Sequence, residues 1–145
     1  MKNILSLVLS MLFPLLLNAQ KKDIENAHLK SSGTYFEKEV KDKKWSNKNG
    51  KSYTLAKYSD YEGVTFVKLF AEKDMTVLFE YEINVDKGKL EVQIIDSKMN
   101  IVFSQDFDTS EKGSATVDFK KGENYKLKFI GQKTKGSYFY QWTEN

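Results

Sequence analysis

The chain is 145 residues long, with 23 basic residues that are all Lys, 20 acidic residues, one His, one Pro and no Cys. Without Cys there is no disulfide framework, no thiol nucleophile and no sulfur-ligated zinc site. Without Arg there is no guanidinium fork to read guanine edges or phosphates bidentately. The lysines are interleaved with acids and no block of five or six like charges occurs, so nucleic-acid binding is not expected.

The first nineteen residues read as a secretory signal peptide. Lys2 supplies the positive start, Ile4 to Leu17 an apolar run, and Asn18-Ala19-Gln20 a small residue at a cleavage point. The run is shorter than the roughly twenty residues needed to cross a bilayer, and Pro14 interrupts it, so no stable membrane span is expected. No Cys follows it to take a lipid. The expected location is therefore outside the cytoplasm, periplasmic or extracellular. Removing residues 1–19 lowers the net charge from +3 to +2. What remains is one domain, large enough to fold on its own core without metal or disulfide.

Residues 20–33 read as weakly helical or disordered, and the folded domain is expected over residues 34–145. From Tyr53 onward, short segments of alternating polarity are separated by turn signals: Lys87-Gly88, Ser97 to Asn100, Ser110 to Gly113, Lys120 to Asn124 and Gly131 to Gly136. The predicted strands are Ser52–Ala56, Val64–Phe70, Met75–Val85, Leu90–Asp96, Ile101–Phe107, Ala115–Phe119, Tyr125–Ile130 and Ser137–Trp142, with a ninth read over Thr34–Val40. Eight or nine such strands predict an all-β, antiparallel two-sheet sandwich of jelly-roll type.

Register can be tested, because core residues must face core residues. Within Met75–Val85 the odd positions are apolar, whereas Glu80, Glu82 and Asn84 lie on the other face. A hairpin at Lys87-Gly88, with Gly88 at positive φ, sets Val85 opposite Leu90, Ile83 opposite Val92 and Tyr81 opposite Ile94. The Ser97 to Asn100 connection sets Ile94 against Phe103. A C-terminal hairpin around Gly131 to Gly136 sets Phe129, Leu127 and Tyr125 against Tyr138, Tyr140 and Trp142, with Lys128 opposite Phe139. Strands that face each other across a sandwich would satisfy the same parity.

The C-terminal run Tyr125-Lys-Leu-Lys-Phe-Ile-Gly131, followed by Lys135-Gly136-Ser137-Tyr138-Phe-Tyr140-Gln-Trp142, resembles the close of the small jelly-roll domains of secreted bacterial proteins, of the pre-peptidase C-terminal and carbohydrate-binding-module type. The resemblance spans roughly Val64 to Trp142. It implies a domain that binds polymers or cell-surface material in company with a catalytic or adhesive partner, whereas here the domain is expected to stand alone.

Candidate chemistry is sparse. His28 is the only imidazole, so a Ser-His arrangement has one available base, and it lies in a segment expected to be exposed. Glu80 and Glu82 share a strand face and could act as paired carboxylates, or form the solvated side of an amphipathic strand. Asp106, Asp108 and Ser110 place oxygens at alternating positions beside Gly113. Calcium is the cation such a loop would take, but Glu111 and Val117 stand where that pattern wants Gly and Glu. No other cofactor is expected.

Aromatics are the usual means by which a β-sandwich reads a sugar. Trp45, Tyr58 and Tyr61 lie in polar, turn-like surroundings, and with Phe139 they form the candidate ligand-binding set, expected to cluster on one exposed surface. The function read from the sequence is a non-catalytic exported domain that recognises a glycan or other cell-envelope component through loop aromatics. Two alternatives stand beside it: a lipocalin-like carrier whose inward aromatics line a cavity, and a structural or inhibitory module that docks an exported protein by a strand edge.

Overall fold

The computed structural model describes residues 23–145. Residues 1–19, read above as a signal peptide, and the first residues of the segment after them lie outside the described residues. Seven strands are present among the described residues: β1 (Leu29–Lys38), β2 (Ser46–Asn49), β3 (Tyr53–Ala71), β4 (Met75–Ile95), β5 (Ile101–Phe107), β6 (Glu111–Phe119) and β7 (Asn124–Glu144). All pairings are antiparallel.

The count of seven, where eight or nine were expected, has two causes: the short strand β2 was not foreseen, and longer strands span what was read as pairs. β3, β4 and β7 each absorb two of the predicted strands and bend over midway, so the apparent hairpins are folds within continuous strands. The first half of β3 pairs β2 on one side and the second half of β7 on the other, while its second half pairs β1 and the first half of β7. β4 does the same with β6, β5 and the two halves of β7. One layer is therefore β1, late β3, early β7, late β4 and β5. The second layer is β2, early β3, late β7, early β4 and β6, and the architecture is the expected antiparallel sandwich.

The bends fall where the ladder registers shift, at Tyr58 to Gly63, Val85 to Lys89 and opposite Lys135 and Gln132. Gly88 does take a positive φ, at 73°, but it turns β4 from one layer to the other and closes no hairpin. A Cβ there would come 2.6 Å from the Gln132 carbonyl oxygen. The expected pairings of Ile83 with Val92 and of Lys128 with Phe139 are corrected accordingly. Ile83 pairs Tyr138, Val92 pairs Phe129 and Gln105, and Lys128 pairs Phe66 and Gln93. Ile94 opposite Phe103 is found as expected, across the β4–β5 turn.

Parity placed the core correctly even where it misassigned the partner. Val77, Phe79, Tyr81 and Ile83 from early β4 are buried, as are Leu90, Val92 and Ile94 from late β4. The Phe129 and Tyr138 rings stack at 3.8 Å and 2°, but they do so across the interior from the two layers. Tyr81 lies edge-on to Phe107 and stacked on Tyr140, so rings from both layers fill the space between them. The inward aromatics Tyr138, Tyr140 and Trp142 are almost fully buried. A lipocalin-like lumen is thereby replaced by packed side chains.

The segment expected to be weakly helical or disordered is pinned down instead, and β1 begins at Leu29, ahead of the predicted Thr34. Asp23 accepts hydrogen bonds from the Lys51 and Ser52 amides, at 3.1 and 2.9 Å. Asn26 donates to the Trp142 carbonyl and accepts from the Glu144 amide. The Glu144 carboxylate in turn accepts from the amides of Ala27, His28 and Leu29, at 3.0, 2.9 and 3.1 Å. These partners lie at the far end of the chain, beyond the reach of local sequence reading.

Candidate functional site

The outer face of the second layer carries a continuous trough. Strand pairing places Leu55 of β3, Phe139 of β7, Glu82 of β4 and Lys112 of β6 in one cross-strand row. The adjacent row runs Tyr53, Gln141, Glu80, Ser114. Alternation turns these side chains outward because their neighbours Ala56, Tyr138, Tyr140, Phe79 and Ile83 point into the core.

Two hollows meet on this face and share Glu82 and Phe139. One, of about 350 Å³, is lined by Leu78, Glu80, Glu82, Lys112, Ser114 and Phe139. The other, of about 200 Å³, is lined by Leu55, Lys57, Asn84, Ser137 and the shared pair. The trough so formed crosses β3, β7, β4 and β6. Its floor is the half-buried Leu55 and Leu78 beside the Phe139 ring, which is itself only 7% exposed and lies 6.2 Å from that of Tyr53. Its rims are carboxylates, an ammonium, a carboxamide and hydroxyls. Lys112 lies 3.8 Å from the Glu82 carboxylate.

Gly113 opens one wall. A Cβ there would stand 2.6 Å from the Tyr81 hydroxyl, so only glycine lets this inward phenol reach the first hollow. The hydroxyl accepts a 3.0 Å hydrogen bond from the Gln105 amide, and Gln105 also donates to Glu111.

Of the predicted ligand-binding set, Phe139 alone belongs to this face, within a strand as expected, and it is itself largely buried. Tyr58 and Tyr61 are buried, at 5% and 0% exposure, which corrects the expectation that they present rings to a ligand. They occupy the bend of β3, with their rings 5.0 Å apart. The Tyr61 hydroxyl donates to the Phe129 carbonyl at 2.7 Å and lies 3.1 Å from the Thr65 hydroxyl. Burial pushes the Tyr61 phenol up to about 12, against the opposing pull of the Thr65 hydrogen bonds, and drives Tyr58 higher still. Both are neutral packing groups.

Trp45 is half-buried and packs against the core at the open side of the sandwich, where the exposed Phe36 meets it edge-on at 5.3 Å. The four aromatics thus do not form one exposed cluster.

Asp106 is ion-paired to Lys89 at 3.0 Å, and the Ser110 hydroxyl accepts from the Val85 amide at 3.0 Å. No group of three or more His, Asp or Glu able to hold a metal ion occurs among the described residues. His28 is engaged at the chain terminus, its Nδ1 3.4 Å from Glu144. No helix of the described residues is long and apolar enough to cross a membrane.

No known family profile matches the chain, and no curated protein matches it. Partial structural likenesses do occur. A family 4 carbohydrate-binding module aligns at 13% identity and TM-score 0.47, over 76% of this chain and 79% of that one. The carbohydrate-binding module of Cellvibrio mixtus lichenase 5A, in complex with cellotriose, aligns at 10% identity and TM-score 0.43, over 78% and 97%. A family 35 module from Cellvibrio japonicus aligns at 9% identity and TM-score 0.45, over 84% and 95%.

The trough was only half legible beforehand. Alternation put Glu80, Glu82 and Phe139 outward or apart from the core, but nothing local says that Glu82 of β4 and Phe139 of β7, distant in the chain, are neighbours.

Proposed function

We propose that this is a non-catalytic glycan-binding domain that works outside the cytoplasm and holds its ligand in the trough across β3, β7, β4 and β6. The observation that carries the reading is the make-up of that trough, an apolar floor of Phe139, Leu55 and Leu78 between polar rims. A sugar offers the complementary surface. Its C–H face packs on the apolar floor, and its ring hydroxyls donate to carboxylates such as Glu80 and Glu82 and accept from Lys112, Lys57 and Asn84. Export rests on the N-terminal sequence, whose Lys2 and apolar run precede a small-residue cleavage point.

Glycoside hydrolysis fits this face less well. It needs an acid and a second carboxylate flanking the scissile bond, whereas Glu80 and Glu82 rise from one strand on one side, and Lys112 stands beside Glu82.

The test is a glycan array and pull-down on insoluble envelope polysaccharides, with Glu82→Gln and Phe139→Leu as conservative variants. Retention by the wild type, reduced about tenfold or more by either variant at unchanged melting temperature, supports the trough. Retention untouched by both, or none at all, removes it. A protein partner added at a strand edge is the second reading, favoured by the exposed Ile101 and Val102 on the outer strand β5 and Met99 in the turn before it. Cross-linked capture that is lost in Val102→Lys would select it.

A further inference from the structure

The outer face of the first layer, on the opposite side of the molecule from the trough, has an arrangement that folding alone does not call for. Lys68 of β3 and Lys126 of β7 are direct register partners, so two like charges stand opposite each other on one face. Such a pair is destabilising, where the usual choice would be an opposite charge. Lys128 lies two residues further along β7 on the same face, with its ammonium 3.0 Å from Glu37. The ion pairs found among the described residues involve neither Lys68 nor Lys126. Their ammonium groups sit over rings instead, Lys68 at 4.5 Å from the Tyr35 centroid and Lys126 at 4.6 Å from that of Phe66. Those rings are themselves stacked, at 5.5 Å and 17°, and Tyr35 and Phe70 are exposed at 42% and 36%.

We infer that this face is a second binding surface, specific for a polyanionic polysaccharide bearing carboxylate or sulfate groups. Two cations without carboxylate partners, rising from backbone positions about 5 Å apart on adjacent strands, complement a chain that repeats negative charge on the scale of a sugar residue. An anion bridging Lys68 and Lys126 cancels their mutual repulsion, so the face gains from the ligand what it lacks alone. The layering of the face argues for a polymer and against a bilayer. Insertion needs apolar groups outermost, whereas here the ammoniums lie over the rings, leaving a cationic outer surface with apolar support beneath. Exposed Tyr35 and Phe70 add flat apolar surface beside the charges on which a sugar ring can rest. The inference is independent of the trough.

The experiment measures retention of residues 20–145 on immobilised polygalacturonate and dextran sulfate, with neutral dextran and phosphatidylglycerol vesicles as the other arms. Wild type should bind one or both polyanions with affinity that falls as salt is raised, and should bind dextran no more than background. Replacing both Lys68→Gln and Lys126→Gln should weaken that binding about tenfold or more, and the variant should melt at the same temperature or higher because opposed like charges have gone. Removing equal charge elsewhere, with Lys41→Gln and Lys43→Gln, should change it less than about threefold. Equal loss in the two variants, absence of polyanion binding, or binding confined to the vesicles would each overturn the inference. Comparing uronate with sulfate identifies which anion the face prefers.

Discussion

The Glu144 carboxylate is the fastening of the N-terminal segment, and its removal should show how much of the fold depends on it. One oxygen accepts from the Ala27 amide and the other from the amides of His28 and Leu29. The side chain is only 17% exposed. In Glu144→Ala the exposed Ala27 amide is rehydrated, but the part-buried His28 and Leu29 amides are left without their acceptor. At about 1 to 1.5 kcal/mol each, that is about 2 to 3 kcal/mol. For a domain of this size each kcal/mol lowers the midpoint by about 3 to 5 °C, so thermal unfolding followed by circular dichroism should shift down by about 10 °C. Glu144→Gln keeps one oxygen and should lose about 1 kcal/mol. Burial alone would raise the carboxyl, but the hydrogen bonds from His28 and Ala27 outweigh it and hold the group below its ordinary value. A depressed carboxylate contributes stability above its unfolded value and loses it as pH falls through the folded one. The gap between wild type and Glu144→Gln should therefore be full at pH 7 and close below pH about 4. Amide exchange at Leu29 should speed up in both variants. An unchanged midpoint in Glu144→Ala, together with unchanged exchange at Leu29, would refute the claim that this carboxylate anchors the segment.

Three further outcomes follow from the same reading. Gly88→Ala should lose about 2 kcal/mol or more by urea unfolding, because a side chain at positive φ is strained and its Cβ meets the Gln132 carbonyl. Tyr61→Phe should lose about 1 to 2 kcal/mol through the missing bond to the Phe129 carbonyl while leaving glycan retention intact, whereas a ligand-reading Tyr61 would lose retention without losing stability. For Asp42, burial is outweighed by hydrogen bonds from Asp60, Lys44 and Ser59, which bring it down to about 2. Its contribution is present above about pH 4 and fades toward pH 2, so an acid titration of Asp42→Asn should converge with wild type only across that window, and a constant difference down to pH 2 would contradict it.

Alternation sorted inward from outward residues along the regular stretches of strand, and it failed at questions of partnership and at the bend of β3. Phe129 and Tyr138 are in contact as parity demanded, but a ring across the sandwich and a ring on the next strand have the same parity, so two bends passed for two hairpins. The polar run from Lys57 to Gly63 concealed Tyr58 and Tyr61. Strand alternation would put residues three apart on opposite faces, but the ladder irregularity between them turns both inward. The N-terminal segment misled for a different reason. Its order comes from Trp142, Glu144 and Ser52, contacts whose loop-closure cost no local propensity reveals.

The bends also explain how one small domain can present two dissimilar surfaces. Because β7 crosses from one layer to the other, its early half turns Lys126 and Lys128 outward on one side of the molecule and its late half turns Phe139 and Gln141 outward on the other. β3 does likewise with Lys68 and Leu55. Each face is thus drawn from the same continuous strands, and the core between them, with Phe129 on Tyr138 and Tyr81 against Phe107, fixes the distance at which two ligands would be held. A domain built this way would need no hinge or linker to hold one glycan in the trough and an anionic polymer on the other side. Its rigidity would make that separation constant, which is the property expected of a domain that joins two envelope polymers.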